Sequence, residues 1–111
     1  MPIATCYVKD KTITNRQWDA LTSEWAAQIG VDVKDICLTI VTNYQQSGEQ
    51  YDALVHLNLP SLWSKEEVKN IQLKLLTLLK ELLKVPGKKI FILTSIIQSE
   101  HVVEDGKIVK W

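Results

Sequence analysis

The stretch GVDVKDICLTIV at residues 30–41 has a counterpart later in the chain, KVPGKKIFILTS at residues 84–95. Each stretch begins with a segment that breaks a helix and ends on a nearly continuous apolar run. Such a run is typical of a strand that is buried on both faces of a sheet. Because a helical pattern precedes each stretch, we interpret the repeat as an internal duplication of a strand–helix–strand unit.

Residues 1–44 contain the first of these units. The apolar segment from Ile3 to Val8 predicts a strand. Thr14 followed by Gln17 resembles a capping box, which predicts that a helix begins here, and Gly30 ends it. The apolar residues that recur every three or four positions mark the buried face of this helix: Trp18, Leu21, Trp25 and Ile29.

Residues 51–97 contain the second unit. The segment YDALVHLNL alternates as a strand does, and Ser64 with Glu67 forms a second capping box. The buried face of the second helix is predicted to be broad, and its residues are Val68, Ile71, Leu73, Leu75, Leu76, Leu78, Leu79, Leu82 and Leu83.

The end of the chain, residues 100–111, predicts a β-hairpin, because Asp105 and Gly106 stand between two apolar pairs. We therefore predict a single α+β domain over residues 1–111. It is a duplicated βαβ fold, with a four-stranded sheet, two helices on one face and a C-terminal hairpin. The other face of the sheet is expected to be apolar and to need a cover.

Composition excludes several classes of function. The 111 residues carry 13 basic and 13 acidic side chains, whereas a nucleic-acid-binding domain normally has a basic excess. The leucine-rich run from Ile71 to Leu83 is short and contains charges, so we expect no membrane partner. Two cysteines form neither a disulfide framework nor a metal-ligand pattern. We expect a cytoplasmic protein that uses no metal and no cofactor.

Pro2 is the candidate catalytic residue. A methionine that precedes a small residue such as proline is usually removed, which would leave Pro2 with a free secondary amine. A free α-amino group titrates near ~7.7–8.0, and burial lowers its pKa. A terminal proline in an apolar pocket is therefore suited to act as a general base or acid near neutral pH.

With Pro2 at the start of a duplicated βαβ unit, the sequence resembles the tautomerase superfamily in its fused form, nearest to the cis-3-chloroacrylic acid dehalogenase branch. The similar segments are PIATCYV at 2–8, LVHLNLPSLWS at 54–64 and IFILTSIIQSEHVVEDGKIV at 90–109. The resemblance implies Pro2-dependent proton transfer, such as keto–enol tautomerisation, on a small keto, enol or unsaturated carboxylic acid. It also implies a homotrimer, whose apposed sheets form a barrel.

The sequence differs from this family at the positions where family members bind a carboxylate. Residues of other kinds stand at the positions of the family's site arginines, histidine, tyrosines and asparagine: Ile29, Cys37, Pro60, Trp63, Phe91, Leu93 and Asp105. Because a lysine binds an anion as a point charge, Lys9, Lys11 and Lys107 are possible substitutes for the arginines. Our candidate substrate-binding residues are Lys107, Asp105, Phe91 and Cys37. Dehalogenation and hydration need a residue that activates water and are not expected.

Two alternatives remain open from the sequence. The first is a catalytically inactive member of the family that binds a ligand or a protein. The second is a ferredoxin-like binding or assembly domain, which has the same βαββαβ order of elements.

Overall fold

The structure is a computed structural model that describes residues 1–111. Four strands and two helices follow one another in the predicted order, and a two-stranded hairpin ends the chain. The elements are β1 (Ile3–Val8), α1 (Asn15–Ile29), β2 (Cys37–Val41), β3 (Ala53–Pro60), α2 (Lys65–Leu83), β4 (Ile90–Ile97), β5 (Val103–Glu104) and β6 (Lys107–Ile108). A short 3₁₀ turn stands before β2, at Val33–Asp35, and before β4, at Gly87–Lys89, as the repeat in the sequence suggests.

The strand order in the main sheet is β2-β1-β3-β4. β1 pairs with β2 in parallel, β3 pairs with β4 in parallel, and β1 pairs with β3 antiparallel. Each helix therefore connects two neighbouring strands, and the two βαβ units join at the centre of the sheet. This order is incompatible with the ferredoxin-like alternative, because in that split arrangement another strand lies between the two strands that a helix connects.

One face of the sheet and the two helices enclose the hydrophobic core. The side chains alternate along the two central strands, so that every second residue is buried under the helices. These residues are Ala4, Cys6 and Val8 of β1 and Ala53, Val55, Leu57 and Leu59 of β3. Trp25 of α1 is fully buried, and its indole Nε1 donates a hydrogen bond to the Ile71 carbonyl of α2 at 3.1 Å. The predicted position of both helices on one face is confirmed.

Both capping boxes are present. The Gln17 backbone N–H donates to Thr14 Oγ1 at 3.2 Å, and the Glu67 backbone N–H donates to Ser64 Oγ at 3.1 Å. The predicted breadth of the buried face of α2 is wrong at Leu73, whose surface is 60% exposed. Leu73 lies on the outer side of α2, because two residues of helix rotate its side chain by about 200° from that of Ile71, which packs in the core.

The second face of the sheet is uncovered and mixed in character. Ile3, Phe91 and Leu93 are exposed apolar residues on it, with 38%, 41% and 54% of their surfaces accessible. Thr5 and His56 are paired at its centre and contribute polar groups. The prediction of an apolar second face therefore holds only in part.

The C-terminal hairpin turns at Asp105 and Gly106, whose φ angles are 53° and 73°. Two successive residues with positive φ define a type I′ turn, which Asp-Gly favours. The hairpin forms a separate two-stranded sheet. The last residue, Trp111, joins the hairpin to the main body, because its Nε1 donates to Ser61 Oγ at 2.9 Å.

Substitution of Leu75 by alanine should lower the free energy of unfolding by about 2–5 kcal/mol, because this fully buried side chain leaves a cavity in the core. The matched control is Leu73→Ala on the same helix, which should change stability by less than about 0.5 kcal/mol. Urea unfolding of the two variants measures both values. Equal losses of stability would contradict the orientation of α2 described above.

Candidate functional site

The candidate site lies where the amino terminus enters the sheet. Ile3 is level with Cys37 of β2 and Asn58 of β3, and the Cys37 N–H donates to the Pro2 carbonyl at 3.1 Å. Continuing this register by two residues places Met1 level with Asp35 on one side and Pro60 on the other. The pairing of β3 with β4 adds Ile97 beside Pro60.

A cavity of about 390 Å³, a volume within the range of small-molecule sites, has one wall formed by Met1, Ile3, Asp35, Asn58, Pro60 and Ile97. The loop after β3 and the tail of the chain close the cavity. Nine of its twelve lining residues are hydrophobic, and the full set is Met1, Ile3, Val31, Asp35, Asn58, Pro60, Leu62, Trp63, Ile97, Val102, Val109 and Trp111. Asp35 is the only charged side chain among them.

Pro2 follows Met1 in the chain and itself lines neither cavity at the amino terminus. Its ring is fully buried on the helix side of the sheet, in line with Ala4 and Cys6 of β1. Met1, which is bonded to the Pro2 nitrogen, lines the cavity. Removal of Met1 would therefore place a ring amine at the cavity while the β1 ladder holds the Pro2 carbonyl in position.

A second, smaller cavity of about 290 Å³ adjoins the first and shares Met1, Ile3, Asp35 and Val102 with it. Its titratable side chains are Lys34, Asp35, Cys37 and Glu104. Asp35 is exposed, whereas Glu104 of β5 is half-buried. The surroundings of the amino terminus therefore combine apolar walls with two carboxylates and one lysine.

Two opposing effects act on the terminal amine. Burial lowers the pKa of the Met1 amino group from its usual value near 8.0, while the nearby carboxylates of Asp35 and Glu104 raise it. Burial is the larger effect, so the pKa of the amine is lowered. A lowered pKa increases the fraction of neutral amine, the form that accepts a proton, at neutral pH.

The two cysteines differ sharply. Cys6 is buried in the core, and burial raises the pKa of its thiol to about 12, so it is chemically inert at neutral pH. Cys37 is exposed and lines the smaller cavity, with its Sγ 3.9 Å from Thr39 Oγ1. Of the four candidate substrate-binding residues, Cys37 alone lines a cavity at the amino terminus.

The other three candidates lie elsewhere in the chain. Phe91 is level with Leu54 at the opposite end of the sheet, and its ring lies 5.2 Å from that of Tyr51. Asp105 and Lys107 are exposed on the hairpin and line neither cavity at the amino terminus. Lys9 lines a separate cavity beside Asp52.

Sequence reasoning missed Asp35 and Glu104 and did not place Trp111 at the site. A signal for Asp35 exists, because a parallel partner of β1 must begin at the same end of the sheet as Pro2. The residues just before β2 therefore lie beside the amino terminus. No comparable signal exists for Glu104, whose position depends on how the hairpin folds back onto the body.

No group of three or more histidine, cysteine or acidic side chains is placed to hold a metal ion. None of the helices has the length and apolar character needed to span a membrane.

Comparison with solved structures shows which fold this is. A fused 4-OT that forms an asymmetric trimer has a TM-score of 0.78 at 13% identity, covering 96% of this chain and 94% of the other. A member of the cis-3-chloroacrylic acid dehalogenase family has a TM-score of 0.76 at 12% identity, covering 96% and 82%. Macrophage migration inhibitory factor of Toxoplasma gondii has a TM-score of 0.65 at 17% identity, covering 96% of each chain.

The chain therefore has the fold of the tautomerase superfamily, as the sequence resemblance implied. No protein-family model matches the sequence, and no curated protein is significantly similar to it. The similar structures named above and a further one at 10% identity are at most 17% identical to this chain, so their likeness shows the fold alone. The chemistry has to be argued from the site itself.

Substitution of Asp35 by asparagine should lower the pKa of the terminal amine further, because it removes the larger of the two carboxylate effects that raise it. The matched control is Asp19→Asn, which removes the same charge from an exposed position on α1. An NMR pH titration of the first residue measures the pKa in each variant. A pKa that is unchanged in Asp35→Asn, or that shifts equally in the control, would contradict the proximity of Asp35 to the amine.

Proposed function

We propose that this protein is a proton-transfer catalyst that interconverts the keto and enol forms of a small, uncharged carbonyl compound. Pro2, whose nitrogen becomes the terminal amine after removal of Met1, is the general base and acid. The observation that carries the proposal is the place of the amino terminus at an apolar cavity of about 390 Å³.

The environment of the amine suits this role. A general base is most effective when its pKa lies near the working pH, and burial shifts an amine in that direction. The apolar walls, which include Trp63 and Trp111, favour a substrate with an aromatic or aliphatic body. They also limit the access of water, which strengthens electrostatic interactions within the site.

The charges at the site favour an uncharged substrate over the carboxylic acid that the family resemblance implies. Asp35 lines the larger cavity, and no lysine or arginine does. Arg16, the only arginine, stands at the start of α1, which follows the far end of β1. An anion in the larger cavity would meet the carboxylate of Asp35 without a side-chain cation to offset it.

A homotrimer is the assembly that we propose. The uncovered sheet face carries exposed Ile3, Phe91 and Leu93, and burial of such side chains stabilises association. The fused 4-OT of similar fold is a trimer. In such an assembly, residues at the far end of the sheet, such as Phe91, would contact a neighbouring subunit.

One observation favours a second candidate, a protein that binds a ligand without catalysis. Met1 lines the cavity, and while it is present the Pro2 nitrogen is an amide, which is not a base. The apolar cavity would then bind a small molecule, and no proton transfer would follow.

Substitution of Pro2 by alanine separates the two candidates. In the catalyst, Pro2→Ala should lower kcat/KM for ketonisation by about 10²-fold or more, the usual contribution of a general base or acid. The substrate for this test is the enol form of the methyl ester of phenylpyruvic acid, whose ultraviolet absorbance falls as it ketonises.

The matched control is Pro86→Ala, which makes the same substitution in the loop before β4, outside both cavities. This control should retain kcat/KM within about twofold. Equal activity of the wild type and Pro2→Ala would exclude Pro2 as the base. Saturable binding of the ester without ketonisation would favour the second candidate.

A further inference from the structure

One carboxylate oxygen of Glu104 receives no hydrogen bond from any donor of the chain. Its Oε2 atom is buried and has no hydrogen-bond partner. Because buried polar atoms are nearly always hydrogen-bonded, such an atom calls for a donor from outside the chain. The type I′ turn at Asp105 and Gly106 fixes the backbone of the strand that carries Glu104.

Glu104 and Met1, the residue that carries the terminal amine, both line the smaller cavity. This cavity adjoins the larger one, and Met1 and Ile3 line both. The other titratable groups that face this space are Lys34, Asp35 and Cys37. The structure has two ion pairs, Lys69 with Glu66 and Lys110 with Glu100, and neither involves the groups of this cavity.

The cross-strand neighbour of Glu104 in the hairpin also forms no ion pair with its carboxylate. Lys107 is its partner in the hairpin register, yet Lys107 is exposed and makes no ion pair with it. The Glu104 carboxylate therefore keeps one oxygen without a hydrogen-bond partner, and it shares the smaller cavity with Met1, the residue that carries the terminal amine.

We propose that Glu104 is the second proton-transfer residue of this site and accepts the hydroxyl proton of an uncharged enol. The inference rests on the proposed function, since it requires Pro2 to be the partner that acts on carbon. It also specifies the substrate class, an apolar enol whose hydroxyl group supplies the donor that Glu104 lacks.

The step is balanced in atoms and charge. The Pro2 ammonium gives its proton to the β-carbon of the enol, while the enol O–H bond breaks and its proton passes to Glu104. The carbon–carbon double bond becomes single and the carbon–oxygen bond becomes double. Transfer of the proton from the Glu104 carboxylic acid back to the Pro2 nitrogen restores the starting state.

A carboxylate partner makes the charge of the substrate decisive. With an uncharged enol, each transfer reduces the separation of charge between the ammonium and the carboxylate. A substrate that carries its own carboxylate would add a negative charge beside Asp35 and Glu104, and the like charges would repel. The site should therefore prefer an ester to the corresponding acid.

The experiment compares the wild type, Glu104→Gln, the charge control Asp19→Asn and Pro2→Ala. The probes are the enol forms of phenylpyruvic acid and of its methyl ester, which differ in one negative charge. We expect Glu104→Gln to lower kcat for the ester by about 10²-fold with KM nearly unchanged, as for loss of a general base. The acid limb of the pH–rate profile, which reports a carboxylate that must be ionised, should disappear in this variant.

The control Asp19→Asn should keep kcat within about twofold, and the wild type should prefer the ester to the acid by about tenfold or more. Circular dichroism and thermal unfolding establish that Glu104→Gln is folded, and the retained KM checks the same point. If Pro2→Ala abolishes ketonisation while Glu104→Gln keeps full kcat and the acid limb, the role of Glu104 is overturned and the proposed function stands. If Pro2→Ala is fully active, the proposed function fails and the role of Glu104 fails with it.

Discussion

The pairing of β1 with its two neighbours is the constraint on which the rest of the structure depends. β1 lies between β2, which runs parallel to it, and β3, which runs antiparallel. The hydrogen bond from the Cys37 N–H to the Pro2 carbonyl extends this ladder to the second residue of the chain. A terminus that would otherwise fray is held in place, because its first peptide groups belong to the centre of the sheet.

This register also determines the chemistry of the site. It places Asp35 beside Met1 on one side and the apolar end of β3 on the other. The terminal amine is therefore subject to burial, which lowers its pKa, and to carboxylates, which raise it. Burial is the larger effect, so the pKa of the Met1 amine is lowered, and the carboxylates make the cavities unfavourable for anions.

Much of the fold could be predicted from the sequence, because its signals are local. The capping boxes at Thr14 and Ser64, the Asp105–Gly106 turn and the repeat before β2 and β4 each depend on a few neighbouring residues. The error at Leu73 arose because periodicity alone does not tell how wide the core contact of a leucine-rich helix is. Of the candidate site residues, Cys37 lines the smaller cavity and Pro2 follows Met1, which lines both. Asp35 and Glu104 reach the amino terminus through long-range contacts, and Phe91 lies at the other end of the sheet.

The most direct test of proton transfer by Pro2 is the intact mass of the protein purified after processing of its amino terminus in the cell. If Pro2 is the proton-transfer residue, the mass equals that of the chain without Met1, and Pro2 carries a free secondary amine. A mass that includes Met1 would contradict this role of Pro2, because the Pro2 nitrogen would be an amide, which cannot transfer a proton.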